Sequence, residues 1–367
     1  MNDEMFMRLA IREAKKGLGR TSPNPCVGAV IIKDNKVIAR GYHKKAGTPH
    51  AEIHALRKAG SEASGATIYV TLEPCSYTGK TPPCSHRLVE ARVSRVVVGM
   101  TDPNPRVNGS GIEYLRQHEI EVTSGVLQRQ CESLNYPFIK HITQKLPWVI
   151  MKAGLSLDGR LNYKKGESGW ITGEQSLRDV HKLRNRVDAI MVGRGTVDID
   201  NPSLTTRLSS GRRSKDPVRV IVDSKLSTSP DSQVYAVRSE APTLVFCGED
   251  VPEDKFERFC DRGIQISAVG KSDHGLDLQQ ILAVLGRQNI CSLLVEGGAS
   301  LHGAFLRHKL YDYACLYYAP LFACADGIPL IAGYGVDGRS AAPRLFDVHR
   351  RKLGDDIVVS GHLQYPK

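Results

Sequence analysis

Apolar runs and amphipathic stretches alternate along almost the whole chain. Near the start, Phe6, Leu9, Ala10 and Ala14 share one helical face. Asn2 or Asp3 can cap that helix, which should run to about Lys16 and stop at Gly17. The apolar runs 27–33 and 36–41 flank Asp34-Asn35, a pair suited to a tight hairpin turn. A second helix opens at His50 and ends near Gly60, residues 66–72 predict a buried strand, and Pro83-Cys84 start another helix. Residues 96–100 form a further apolar strand, and 101–111 (T-D-P-N-P-R-V-N-G-S-G), rich in turn formers, predict a loop that covers one side of the first domain's pocket. The stretch 137–147 carries no strong pattern and Pro147 discourages helix, so a domain boundary is placed near 145. From Trp148 apolar strands recur at 148–153, 189–192, 218–222, 243–247 and 292–295, with helical stretches at 176–186 and 278–287. That alternation predicts two α/β domains, 1–145 and 146–367, the second with a mostly parallel sheet.

The first domain carries the sharpest chemistry. His50, Cys75 and Cys84 stand in H-A-E, P-C and P-P-C, an imidazole and two thiolates suited to tetrahedral zinc. Three protein ligands leave a fourth position for water, whose pKa zinc lowers to about 7. Glu52, two residues after the first ligand, is placed to move protons. The pattern is similar to the H-x-E…P-C-x-x-C signature of zinc nucleobase deaminases, except that Cys75 and Cys84 are much further apart. Lys80, inside the intervening loop, can reach a substrate phosphate. Asn24, held between two prolines in T-S-P-N-P-C-V-G, can bond a pyrimidine edge or simply shape a turn.

Three stretches of the second domain can carry chemistry. The segment 292–306 (S-L-L-V-E-G-G-A-S-L-H-G-A-F-L) reads strand, Gly-Gly turn, helix, a place where backbone amides cradle a pyrophosphate. The segment 192–207 puts Thr196, Asp200 and Arg207 on a loop after a strand, and 166–172 puts Ser168 and Trp170 ahead of the helix bearing Arg184. Arg184 and Arg207 can grip a phosphate bidentately or pair with a carboxylate.

Composition narrows the classes. At 367 residues the chain suits two domains, and 41% hydrophobic with 24% charged residues is ordinary globular usage. No apolar run approaches the ~20 residues of a membrane span, and the acidic, amphipathic start is no secretory signal. Nine scattered cysteines, an odd number, argue for a reducing cytoplasm rather than a disulfide framework. The net charge of +11 suits anionic ligands. Aromatic residues are only 6% and no Lys/Arg run interleaves with them, which speaks against an RNA-editing deaminase. A closed structural zinc site would need a fourth ligand, for which His43 and His86 are the nearest candidates.

Taken together, M-K-A-G-L-S-L-D-G-R, G-E-S-G-W-I-T, G-R-G-T-V-D-I-D-N-P-S-L-T-T-R and V-E-G-G-A-S-L resemble the reductase half of the bifunctional riboflavin-biosynthesis deaminase/reductase family. P-N-P-C-V-G, H-A-E and T-L-E-P-C-S…G-K-T-P-P-C resemble its deaminase half, and that group shares the long loop between the cysteines. The resemblance spans essentially the whole chain. It implies a cytidine-deaminase-like zinc domain followed by a dihydrofolate-reductase-like domain. It implies deamination of 2,5-diamino-6-(5-phosphoribosylamino)pyrimidin-4(3H)-one, then NADPH-dependent reduction of the ribosyl group to ribityl. Carried over by position, Gly154, Trp170, Thr196, Asp200, Ser224 and the turn Gly298, Ala299, Ser300, Leu301, His302, Gly303, Ala304 should contact NADPH. Ser168, Arg184, Leu204, Arg207 and Glu296 should contact substrate. The acid of the reduction stays open among Asp200, Glu296 and Lys152. Partners should be phosphorylated pyrimidines, with neither nucleic acid nor membrane, and a homo-oligomer, dimer or tetramer, is expected.

Overall fold

The structure is a computed structural model that describes residues 2–77, 83–105, 107–208 and 214–366. The chain separates into two compact units, 1–146 and 147–367.

The helices of the first unit are α1 (Asp3–Ala14), α2 (Ala51–Ala59), α3 (Cys84–Glu90), α4 (Ser110–Gln117) and α5 (Gln128–Gln144). Its strands are β1 (Gly28–Lys33), β2 (Lys36–Tyr42), β3 (Thr67–Leu72), β4 (Arg95–Met100) and β5 (Glu121–Ser124). The sheet order is β2-β1-β3-β4-β5, antiparallel at β1 and parallel from β3 onward. Asn2 caps α1 through its side chain, and Asp34 and Asn35 both take positive φ in the β1–β2 turn, as that turn geometry requires. Every residue of β3 is buried, because helices cover both faces of the sheet's centre. At Gly41 a Cβ would lie 2.2 Å from the carbonyl oxygen of Ala51. The missing side chain lets the start of α2, and so His50, approach the sheet.

One expectation is corrected here. The stretch from 137 is not patternless, since α5 runs through Pro137. Proline costs a helix interior about 3 kcal/mol, so tertiary contacts must offset it. The Asn135 side chain accepts from Cys26 N (2.7 Å) and donates to Cys26 O (3.1 Å), and Cys131 is fully buried against the core.

The second unit holds β6 (Trp148–Leu155), α6 (Glu174–Arg184), β7 (Ala189–Gly193), α7 (Arg194–Asp200), β8 (Val218–Val222) and α8 (Gln233–Ala236). It continues with β9 (Thr243–Gly248), α9 (Glu253–Cys260), β10 (Gln265–Val269) and the small pair β11 (Lys271–Ser272) and β12 (Gly275–Leu276). It ends with α10 (Leu278–Arg287), β13 (Ser292–Val295), α11 (Ala299–Arg307), β14 (Tyr313–Tyr318), β15 (Arg344–Leu353) and β16 (Asp356–Gln364). The large sheet has the order β10-β9-β8-β7-β13-β6-β14-β16-β15 and is parallel from β10 to β14. The hairpin β15–β16 adds an antiparallel edge. After β7 the chain winds outward through β8, β9 and β10, then returns to insert β13 between β7 and β6. In open α/β sheets, ligands bind at the carboxyl ends of strands where winding reverses, and here that crevice lies at β6, β13 and β7.

Candidate functional site: a three-donor cluster and a buried ion triad

The first unit brings His50, Cys75 and Cys84 together. His50 Nδ1 lies 3.2 Å from Cys84 Sγ and 3.6 Å from Cys75 Sγ, and the three donor atoms all fall within 4.8 Å of one another. Each comes from an element end: His50 caps α2, Cys84 is the first residue of α3, and Cys75 follows the end of β3. An imidazole and two sulfurs at this spacing fit zinc. Cys84 N donates to Cys75 Sγ (3.3 Å). Hydrogen bonding from Cys84, then the neighbouring His50, draws the Cys75 thiol down to about 4 despite burial, so it is ready to ligate as thiolate. Glu52 is 3% exposed, and burial raises its pKa above the ordinary carboxylate range.

Around this cluster, both ring nitrogens of His43 are engaged. Nδ1 lies 3.2 Å from Pro49 O and Nε2 lies 3.3 Å from Asn24 Nδ2. The His43 ring meets His50 edge-on at 5.4 Å, which places Asn24 one side chain away from the ligand set. His86 stacks on Tyr114 instead. Among the described residues, then, neither histidine joins the donors as a fourth ligand. Lys80 lies outside the described residues.

The sequence reading missed what holds Cys75 in place. Glu73, two residues earlier and buried, accepts four backbone N–H bonds: Asp102 (3.0 Å), Gly109 (3.0 Å), Gly111 (2.8 Å) and Ile112 (3.3 Å). It serves α4 as an N-terminal cap supplied from the β3 end. At Gly111 a Cβ would stand 1.9 Å from Pro74 O. Asp102, Gly109 and Gly111 are thus pinned against the strand end that leads to Cys75.

In the second unit Glu296 immediately follows β13. Its side chain, 8% exposed, accepts from Arg184 Nε (2.8 Å) and Nη2 (2.9 Å) and from Lys152 Nζ (3.3 Å). Burial alone would raise its pKa, but the Arg184 and Lys152 charges outweigh burial and hold it well below the ordinary range. The two residues assigned to substrate, Arg184 and Glu296, therefore bond each other. Arg184 Nη1 also reaches Thr205 O (3.2 Å).

Beyond Glu296, Gly297-Gly298 lead into α11, whose first turn has no side-chain cap. The backbone N–H groups of that first turn and the Thr196 hydroxyl, 3.9 Å from where a Cβ on Gly298 would sit, border the Gly297-Gly298 turn. Backbone amides at a helix start fit the pyrophosphate of a dinucleotide. Ser300 is exposed there and Leu301 half-buried, whereas His302 is fully buried, with Nδ1 2.7 Å from Tyr311 Oη. Gly303 packs against Ala332, and Ala299 and Ala304 carry only methyl groups. The accessible part of the turn is its start, and His302 and Gly303 are buried.

Thr196 and Asp200 lie on the helix α7 rather than on a loop, because Gly193 in extended conformation starts a helix turn directly after β7. Asp200, Ser168 and Trp170 are exposed, Trp170 by 62%. Gly154 lies on β6, where a Cβ would meet the Thr172 methyl at 3.2 Å, and Ser224 follows β8. Leu204 takes φ 51° with its side chain buried in the core, so only its backbone is available to a ligand. Arg207 is exposed, and Asp198 pairs with Arg194 (3.5 Å).

Residues 147–359 match the RibD C-terminal domain family, and residues 1–100 match the cytidine and deoxycytidylate deaminase zinc-binding region. The riboflavin biosynthesis protein RibD of Bacillus amyloliquefaciens is 40% identical over 98% of this chain and 95% of its own length. The chain belongs to the RibD family. RibD of Escherichia coli is 38% identical over 98% of this chain and 99% of its own. Acinetobacter baumannii RibD superposes with a TM-score of 0.87 at 36% identity, covering 99% of both chains. A Thermotoga maritima structure described as a diaminohydroxyphosphoribosylaminopyrimidine deaminase/5-amino-6-(5-phosphoribosylamino)uracil reductase superposes at 0.85 with 37% identity, covering 99% of this chain and 98% of that one. As a RibD protein the chain is a bifunctional deaminase and reductase of riboflavin biosynthesis, with a zinc-binding deaminase region and a reductase domain that uses NADPH.

Proposed function

We propose that the first unit deaminates 2,5-diamino-6-(5-phosphoribosylamino)pyrimidin-4(3H)-one, and that the second reduces the resulting ribosylaminouracil phosphate to its ribityl form. The observation that carries this reading is the three-donor cluster with Glu52 buried beside it. His50, Cys75 and Cys84 would hold zinc, which when bound supplies a polarised water of pKa about 7. Glu52 takes a proton from the attacking water and delivers it to the amino nitrogen, which leaves as ammonia. Asn24, through its place next to His43, borders the ring, and Lys80 meets the phosphate.

In the second unit, the start of α11 with Thr196 binds the cofactor phosphates, and Gly154, Trp170, Asp200 and Ser224 line the rest of its path. NADPH, when bound, supplies the hydride that the sugar C1′ receives in its open-chain form. Glu296, ionised between Arg184 and Lys152, has no proton to give and serves to orient. Lys152, a cation with a 16% exposed side chain, is the acid that geometry favours. Arg207, Ser168 and the backbone at Leu204 receive the substrate's phosphate and sugar. The enzyme is expected in the cytoplasm, supported by nine free cysteines, as a homo-oligomer, dimer or tetramer, that light scattering would size.

Incubating the protein with the diaminopyrimidinone phosphate tests the assignment. Without NADPH the product mass should rise by the exchange of NH for O, and with NADPH it should gain two further hydrogens. Unchanged substrate with zinc-loaded protein would sink the reading. Two variants assign the roles. Glu52→Gln should keep its metal and lose about 10²–10⁴-fold in deamination. Arg207→Ala should lose roughly 10- to 200-fold in reductase kcat/KM on the phosphorylated substrate only, as expected for about 1.5–3 kcal/mol per charged hydrogen bond.

A further inference from the structure

His181 has no part in the chemistry described so far, yet it is 4% exposed and stands one turn before Arg184 on α6. Its Nδ1 accepts the backbone N–H of Arg207 at 3.2 Å. An imidazole nitrogen can accept only through its lone pair, so the ring is neutral and carries its proton on Nε2. The surroundings enforce that state. Burial first, then the charges of Arg184 and Arg207, push its pKa down to about 4, with Lys152 adding to the effect and Glu296 opposing it.

The three residues before and at the proposed phosphate contact are each held by a different outside group. Thr205 O takes Arg184 Nη1 (3.2 Å), Thr206 N donates to Asp216 Oδ1 (2.8 Å), and Arg207 N donates to His181 Nδ1. Asn201 and Leu204 are already in left-handed conformations, so the segment's path is not one that local preferences would maintain. α6 thus sets both ends of the contact. Arg184 orients Glu296 at the reacting end, and His181 fixes the peptide from which the Arg207 side chain departs.

We propose that His181 is a positioning residue for the reductase substrate, acting through the Arg207 backbone as a fixed-tautomer acceptor. The proposal rests on the reading of Arg207 as the phosphate contact. Three substitutions in the full-length, zinc-loaded enzyme separate the possibilities. In His181→Asn the amide oxygen falls near the Nδ1 position, so the bond to Arg207 N is kept. In His181→Gln the acceptor sits one bond further out, near Nε2, and that bond is lost with polarity and size nearly conserved. Reductase KM for the phosphorylated substrate should rise about three- to ten-fold in the Gln variant, the range for one lost hydrogen bond. It should stay within about two-fold of wild type in the Asn variant. The Kd for NADPH, read by its fluorescence, and the deamination rate should be unchanged in both.

Equal losses in Asn and Gln, or no loss in Gln, would overturn the proposal. Adding Arg207→Ala separates it from the reading beneath it. If Arg207→Ala alone leaves KM unchanged, the phosphate assignment fails. If Arg207→Ala raises KM but His181→Gln does not, the positioning role fails. A second readout needs no altered protein beyond one for assignment. 15N-histidine spectra of the wild type should show the His181 ring as the Nε2–H tautomer throughout pH 6 to 8, and a ring that titrates there would also overturn the proposal.

Discussion

Two buried carboxylates show how differently one side chain type is accommodated. Glu73 is surrounded by backbone donors and Glu296 by two cations. Removing the charge at Glu296 leaves Arg184 and Lys152 buried without their partner, and breaking a buried pair in this way costs about 3–5 kcal/mol. Glu296→Gln should therefore lower the stability of the second unit by that order in urea, besides its effect on reduction. The pH dependence follows from a folded pKa held below 4.5. The stability from this ionisation is fully present above 4.5 and is lost only as the pH falls below it, towards the folded value. The gap between wild type and Glu296→Gln should stay constant from pH 8 to 5 and shrink in stronger acid. A gap that shrinks between pH 8 and 6 would place the charge coupling elsewhere. The donor cluster was legible in the sequence because H-A-E, P-C and P-P-C each carry their chemistry in two or three adjacent residues. The roles of Glu73 and His181 were not, because each bonds backbone groups more than 25 positions away and a backbone partner leaves no mark on the residue type that supplies it.

At the level of elements, regular hydrophobic spacing located β1 to β4, β6 to β9 and β13, and the helices α1, α2, α3, α6 and α10, but not α4 or β14. It failed where tertiary contact replaces local preference. α5 contains Pro137 and is held by Asn135 and Cys131, and α7 is only a short turn of helix after β7. The edge strand β15 is largely exposed and contains Asp347, His349, Arg350, Arg351 and Lys352, a charged edge that discourages pairing with other chains and erases the alternation by which a strand is recognised. If α5 persists in spite of its proline, Pro137→Ala should restore the missing bond to the Ser133 carbonyl. It should then stabilise the first unit by about 1–3 kcal/mol. An unchanged or lowered urea midpoint would mean that the ring itself is packed to advantage.

Over the whole molecule, the two sites draw on separate sets of elements. The three candidate zinc donors lie before residue 147, and both cations that pair with Glu296 lie after it. Removing zinc with a chelator should abolish deamination and leave the reduction of pre-deaminated substrate within about two-fold, in the same tube and the same protein. Loss of both activities together would show that the metal supports more than its own unit. The domain pair was readable from sequence because two periodic α/β stretches meet at a segment ending in Pro147. The dihydrofolate-reductase-like expectation rested on motif resemblance, since a parallel run of strands alone does not reveal that β13 inserts between β7 and β6.

Carrying both units on one polypeptide also fixes their ratio. Every copy made brings one deaminating and one reducing centre, so transcription or translation cannot alter their balance. Whether the aminated precursor or the deaminated intermediate accumulates is then decided by the relative turnover of the two centres and the supply of NADPH. A mutation that slows only the second centre cannot be relieved by making more of that centre alone. Overproduction raises both capacities equally, so at a given supply of NADPH the ratio of intermediate to precursor stays where the two turnover rates put it.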